Sequence, residues 1–340
     1  MLSRLSVRTC SRIAQVSLQF PSQIRMMAGY SKSKAQLNTG AEIPLIGFGT
    51  WQDKEKQSDA VLECLTSGYR HIDTARVYGT EPAVAEGIKK SSVPRGDIFV
   101  TTKLWNNSHH PEDVEKACDA SLKDLGTDYL DLYLMHWPSP FARGDKLRPK
   151  NGDQIAPGDS DYVDTYKAME KLLEKGKVKA IGISNFSKSE LERLLKETSV
   201  VPAVHQLELH PYLAQHEFDQ FHKSKGIHIT QYSPFGNSNP IYDKGKDISK
   251  LIDDPVLVDI GKKYSKNGAQ VALAWGIAKG RSVIPKSKTP SRIKANFEGD
   301  FKLDAEDVKK IDALDKKLRF NDPSESFGWN FYADLDGKVN

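Results

Sequence analysis

From residue 44 onward, eight short apolar runs ending in polar residues alternate with stretches of helical period. The runs are 45–50 (LIGFGT), 70–73 (RHID), 98–103 (IFVTTK), 129–136 (YLDLYLMH), 178–184 (VKAIGIS), 203–206 (AVHQ), 227–232 (IHITQY) and 282–286 (SVIPK). Alternation of strand and helix implies parallel strands joined by right-handed crossovers, because a parallel pair cannot be closed by a tight turn. Eight such units favour an α/β chain closed into a (β/α)8 TIM barrel. The competing fold, an open doubly wound sheet, usually carries a GxGxxG turn after its first strand. GFGTWQ at 47–52 lacks the third glycine.

The intervening helices are legible in places. Across 111–125, Val114, Ala117, Cys118, Ser121, Leu122 and Leu125 fall on one helical face. Pro111 suits the first turn and Gly126 the stop. Ser187 and Glu190 form a capping box ahead of Leu191, Leu194 and Leu195. Asn38-Thr39-Gly40 suits the turn of a short β-hairpin capping the barrel bottom. The longest irregular stretch, 137–160, follows the fourth run, and long loops at that end of a barrel belong to the active face.

Charge and cysteine content narrow the class. Of the 49 Lys and Arg, six (Arg4, Arg8, Arg12, Arg25, Lys32 and Lys34) lie in the first 41 residues, which hold no acid; the remaining 43 face 45 acids. The body is thus nearly neutral and gives no reason to expect nucleic acid as a partner. No stretch reaches the roughly 18 apolar residues that a membrane-spanning helix needs. Three scattered cysteines, Cys10, Cys64 and Cys118, make neither a disulfide framework nor a structural zinc site. The expected role of Cys118 is a small buried hydrophobe.

Residues 1–27 are rich in Arg and Ser, free of acids and carry a rough apolar face of Leu2, Leu5, Ile13, Val16 and Phe20. That pattern is the mark of a mitochondrial transit peptide. The alternative readings are a disordered extension and an upstream start preceding Met26 or Met27. The expected division is therefore an extension over 1–30 and one barrel domain over 31–340. The expected location is cytoplasmic, or the mitochondrial matrix if the extension directs import.

In such a barrel, chemistry is carried at the C-terminal ends of the strands. The second run ends at Asp73 with Tyr78 five residues on, the third at Lys103, and the fourth at His136. These strands are neighbours in a closed barrel, so the four side chains can converge. A tyrosine hydroxyl, with pKa near ~10, is a poor acid at neutral pH. A lysine ammonium beside it favours the phenolate and lowers that value, while an aspartate keeps the lysine charged and oriented. An imidazole N–H can place a carbonyl oxygen. The group can donate a proton to an oxygen gaining negative charge, but it has no electron source. Reduction of a carbonyl needs hydride, which implies a cofactor.

Six motifs then resemble the aldo-keto reductase superfamily over roughly 35–330: GYRHIDTARVYGTE (68–81), LDLYLMHWP (130–138), GISNF (182–186), QLELHPY (206–212), QYSPFG (231–236) and IPKSKTPSRIKANF (284–297). The overall pattern looks like the fungal and microbial aldehyde reductase and glycerol dehydrogenase branch. The resemblance implies reversible, NADPH-dependent reduction of aldehydes or ketones. On it, Tyr78 is the general acid, Lys103 and Asp73 tune it, and His136 orients the carbonyl. Ser184, Asn185 and Gln206 hold the nicotinamide carboxamide, and Tyr232 stacks on the ring. Thr50, Trp51, Ser233 and Thr289 join the cofactor contacts. Lys286, Ser287 and Arg292 take the adenosine 2′-phosphate, favouring NADPH over NADH, and Asn296 contacts adenine. No metal is expected, and a monomer is the family expectation. Two departures stand out: Thr80 where the family often has Asn, and Ala295 where it often has Glu.

Trp51, Trp105, Trp137 and Phe141 fall on loops after the first, third and fourth runs; in the family, aromatics at the first three positions line the substrate pocket. The C-terminal segment 320–340 is expected to fold over the barrel mouth, with Trp329 or Phe331 as its entrant. Glyceraldehyde, glycerol, short aldoses and aromatic aldehydes are the expected substrates. Two competitors remain. One is a catalytically silent NADP-binding regulatory subunit. The other is a hydrolase with paired carboxylates, whose second acid would be Glu208, placed beyond the sixth strand.

Overall fold

The computed structural model describes residues 33–53, 55–238 and 248–337. Expectations for the 1–30 extension, and for Cys10, lie outside the described residues. All eight apolar runs form parallel strands at or within two to three residues of their expected bounds. Two strands precede the barrel, β1 (Lys34–Gln36) and β2 (Glu42–Pro44). They pair antiparallel about the expected turn, with Ala35 opposite Ile43. This hairpin carries Leu37 and Ile43 into an apolar cluster with Phe99, Leu132, Leu134, Ala180 and Val204, which seals the N-terminal end of the barrel.

The barrel strands are β3 (Phe48–Gly49), β4 (His71–Asp73), β5 (Phe99–Leu104) and β6 (Leu132–Met135), then, after a hairpin of β7 (Lys150–Asn151) and β8 (Gln154–Ile155), β9 (Ile181–Ser184), β10 (Val204–Glu208), β11 (His228–Tyr232) and β12 (Ser282–Val283). They hydrogen-bond in the order β12-β11-β10-β9-β6-β5-β4-β3. The two ends of that row meet. Ile46 bridges Val283 in parallel, and Gly47 N and Gly49 N donate to Val283 O at 2.8 Å and Pro285 O at 3.1 Å. A Cβ at Gly49 would lie 2.9 Å from the Ile284 carbonyl oxygen. The glycines of GFGT therefore serve close approach at the closing seam rather than a nucleotide turn.

Local chemistry places the helices as read. Pro111–Leu125 buries Val114, Cys118, Ser121 and Leu125 and ends at Gly126 with φ 61°. Lys188–Glu197 opens on the full capping box, with Ser187 accepting from Glu190 N and the Glu190 side chain accepting from Ser187 N. Cys64 and Cys118 are both buried, and burial pushes the Cys118 thiol up to about 12.

Two expectations need correction. The stretch 137–160 is not irregular throughout: β7 and β8 pair with Asn151 opposite Gln154, and Phe141 bridges Pro157. Its turn residues, Asn151-Gly152-Asp153, lie between strands too short to show a period of two. Glu208 does not lie beyond the sixth barrel strand; it is that strand's last residue.

Candidate active site

A cavity of about 670 Å3 opens where the barrel strands end. Asp73 closes β4 and is buried. The single 3-10 turn Arg76–Tyr78 then folds the chain back, bringing Tyr78 to the cavity wall. Lys103 stands on β5, and His136 directly follows β6, its N–H donating to Leu104 O at 3.1 Å. The Lys103 ammonium, fully buried, donates to Asp73 Oδ1 at 2.6 Å and to Thr74 O at 2.9 Å. It lies 5.3 Å from the Tyr78 ring centre. The Tyr78 and His136 rings meet edge to face, 5.8 Å between centres. The four residues expected to converge are thus together.

Burial sets their charge states. It pulls the Lys103 ammonium below the usual lysine range, with Asp73 opposing. Burial, with Lys103, His109 and Arg148 as nearby cationic or titratable groups, holds His136 well below the usual imidazole range. His136 is therefore neutral near pH 7 and carries one N–H donor.

Gln206, on β10, donates its amide nitrogen to Asp73 Oδ2 at 2.6 Å. Its carbonyl oxygen is left as an acceptor at the wall. Asn185 follows β9 in the left-handed region (φ 62°), as does Ser233 after β11 (φ 48°). A non-glycine residue held there is a local cost that concentrates at functional sites. The Asn185 amide donates to His136 O and Ser184 Oγ, both at 3.0 Å, and accepts from the Tyr232 hydroxyl at 2.7 Å. Thr50 N and Oγ1 donate to Asp73 O at 3.1 and 3.0 Å.

Far along the same cavity stand Lys286, Ser287, Lys288, Thr289 and Arg292. Thr289 precedes the helix Pro290–Phe297, so the positive end of that helix and three cations face one space. The donor set fits a dinucleotide phosphate: amide and hydroxyl groups at one end, cations and a helix start at the other. Asn296 is on that helix, one turn past Arg292, but buried and outside the cavity wall. Ala295 contributes only its carbonyl, which accepts from Gln270 Nε2 at 2.8 Å. Thr80 is buried just before the helix Glu81–Ser91 and away from the wall.

Trp51, Trp105 and Trp137 line the cavity; Phe141 supports them from behind. The C-terminal segment does cover the mouth, but its entrant is Phe327, whose ring lies 5.6 Å from Trp137 and 6.3 Å from Trp105. Neither expected entrant reaches the wall. The Trp329 indole donates to Glu190 Oε1 at 2.7 Å, and Phe331 is fully buried, 4.6 Å from Trp137. Glu208 anchors the segment, accepting from Phe320 N at 2.8 Å and Asn321 N at 2.9 Å. Asn321 in turn donates to the Tyr232 hydroxyl at 3.0 Å. Burial would raise the Glu208 carboxyl, but His210, Arg319 and the Phe320 N–H outweigh it and hold it ionised. Spent on backbone donors and off the wall, Glu208 is no second acid for a hydrolase. Sequence reasoning missed Asn321, Phe327 and Arg148 at the wall; only their loops were marked, and a loop position has no period to read.

A sequence profile described as "Aldo/keto reductase family" matches residues 45–316. An uncharacterized oxidoreductase of Schizosaccharomyces pombe is 49% identical over 307 residues, covering 89% of this chain and 95% of the relative. Aldo-keto reductase family 1 member A1 of Rattus norvegicus is 46% identical, covering 85% of this chain and 91% of that one. Among solved structures, the aldose reductase from Schistosoma japonicum superposes with a TM-score of 0.81 at 35% identity, over 88% of this chain and 98% of that one.

Proposed function

Since the chain belongs to the aldo/keto reductase family, a family of oxidoreductases, we propose that it reduces aldehydes and ketones reversibly to alcohols with NADPH, and that Tyr78 is the proton donor. The observation that carries this reading is the buried Lys103–Asp73 pair beside Tyr78 and a neutral His136, with Asp73, Tyr78 and His136 on one cavity wall and Lys103 buried behind it. NADPH, when bound, supplies hydride. The chain's own residues do the rest.

His136 offers its N–H to the carbonyl oxygen and sets the distance to Tyr78. Tyr78 gives its proton to that oxygen as negative charge develops there, with the Lys103 ammonium stabilising the phenolate left behind. Asp73 keeps Lys103 charged. Ser184, Asn185 and the Gln206 carbonyl would hold the carboxamide, and the Tyr232 ring, fixed by Asn185 and Asn321, would back the nicotinamide. Thr50, Trp51 and Ser233 would complete that end. Lys286, Ser287, Thr289 and Arg292 would take the 2′-phosphate, which favours NADPH over NADH; Asn296 would meet adenine only from behind the wall. Trp51, Trp105 and Trp137 would pack the substrate. Glyceraldehyde, short aldoses and aromatic aldehydes are the proposed substrates, the monomer the proposed working unit, and the cytoplasm the proposed location, with the matrix the alternative.

The intact set of Tyr78, Lys103, Asp73 and His136 argues against a silent NADP-binding subunit. The test is loss of reduced-nicotinamide absorbance across an aldehyde, ketose and aldose panel, NADPH beside NADH. Tyr78→Phe is expected to lower kcat by about 10²- to 10⁴-fold while NADPH still quenches protein fluorescence. Undiminished turnover in that variant, or equal use of NADH, would overturn the corresponding part of the reading.

A further inference from the structure

The cavity wall carries a cation that the cofactor does not need. Among the described residues, its only carboxylate is Asp73, already neutralised by Lys103. Against it stand Lys286, Lys288 and Arg292 at the phosphate end, and Arg148. Arg148 is on the loop between β6 and β7, at the other end. The Trp105 indole donates to the carbonyl of Leu147, the preceding residue, and Trp105 lies 5.1 Å, ring centre to ring centre, from His136. Asn107 Nδ2 donates to Gly144 O at 2.7 Å, and Phe141 N donates to Asn106 O at 2.9 Å, so the loop is pinned on both sides of its tip. The Arg148 charge is felt at His136. Its own guanidinium has no hydrogen bond or ion pair among the described residues, whereas Arg143, on the same loop, is held by Asp113 and Glu112.

We propose that Arg148 is a specificity residue that recognises a negatively charged group on the substrate, so that the favoured carbonyl compounds carry a carboxylate or a phosphate. This rests on the carbonyl-reductase reading above. An open planar guanidinium at the rim of an aromatic cleft can take an oxyanion through two parallel N–H bonds. With no acid to compete, an anionic substrate also meets a cleft of one sign. Neutral aldehydes would reach the same carbonyl site without this contact.

The experiment compares kcat/KM for two matched pairs: 4-carboxybenzaldehyde against its isosteric amide 4-carbamoylbenzaldehyde, and glyceraldehyde 3-phosphate against glyceraldehyde. Wild type, Arg148→Gln and Arg148→Lys are run with NADPH. Wild type is expected to prefer the charged member of one pair at least by about tenfold, the effect of one charge-assisted hydrogen bond. That ratio should fall toward one in Arg148→Gln, persist in part in Arg148→Lys and weaken with added salt. A preference confined to one pair identifies the anion as carboxylate or phosphate. A wild-type ratio near one in both pairs, or a ratio that Arg148→Gln leaves intact, sinks the proposal. Should wild type reduce none of the four compounds, the carbonyl-reductase reading fails on its own. Fluorescence titration of benzoate against benzamide, in wild type and Arg148→Gln, then still decides the anion site. Tighter benzoate binding that Arg148→Gln abolishes supports it, and equal binding of the two overturns it.

Discussion

Lys103 shows how one side chain can be both structural and chemical. Its ammonium is fully buried against two acceptors, Asp73 Oδ1 and Thr74 O. Truncating it to Met leaves the Asp73 carboxylate buried with Gln206 as its remaining side-chain donor. Breaking a buried pair from one side costs about 3–5 kcal/mol. Lys103→Met is therefore expected to unfold at clearly lower urea, and Asp73→Asn added to it to recover part of the loss. The same burial makes a kinetic statement. Because it pulls the ammonium below the usual lysine range, the charge beside Tyr78 is lost on the alkaline side earlier than an exposed lysine would lose it. Reduction by the wild type is expected to decline along that limb in a pH–rate profile, and a rate still flat at pH 10.5 contradicts the assigned role.

Elements are held to one another by donors and acceptors far apart in sequence. Two grips fix the C-terminal segment: the Glu208 carboxylate takes the N–H groups of Phe320 and Asn321, and Asp334 caps the start of the helix Lys188–Glu197 by accepting from Lys188 N at 3.0 Å and Ser189 N at 2.8 Å. Between those grips lies Phe327. Glu208→Gln puts an amide NH2 where two backbone N–H groups point, leaving a buried donor unmet at about 1–3 kcal/mol. Hydrogen exchange at 320–321 is expected to quicken in that variant, with exchange in β4 and β5 unchanged. Protection at 320–321 equal to wild type would show that the anchor lies elsewhere. The helix ends were legible because caps are local: Ser187 and Glu190 are three residues apart, and Gly126 directly follows Leu125. The grip of Glu208 on Asn321 spans 113 residues and leaves no local mark.

For the whole molecule, the closed barrel buries histidines in numbers that matter for pH. Burial is the leading cause that holds His71, His136 and His205 below the usual imidazole range, and lowers His222 to about 4 and His109 and His228 to about 3. The unfolded chain takes up these protons near pH 6.5, whereas the native state does not until far lower. Stability from these groups is full above about 6.5 and is lost as pH falls toward the folded values. The slope is about 1.4 kcal/mol per pH unit for each histidine that remains neutral only in the native state. The urea midpoint is expected to fall steeply between pH 6.5 and 4.5; a midpoint constant over that range would exclude the effect.

The sequence by itself determined the alternation of eight strands with helices, hence the parallel barrel, and the placing of Asp73, Lys103 and His136 at strand ends with Tyr78 one turn on. These follow from hydrophobic period and local capping, which neighbouring residues encode together. The hairpin about Asn38-Thr39-Gly40 belongs with them. Only the tertiary structure decided that Phe327 rather than Trp329 or Phe331 reaches the cavity, that Glu208 is an anchor rather than a second acid, that Asn296 stands behind the wall, and that Arg148 lines the same cavity as His136. Each of those outcomes turns on which loop packs against which strand end. That choice is made by shape and by polar satisfaction between residues tens to hundreds of positions apart, where no period in the chain can carry the information.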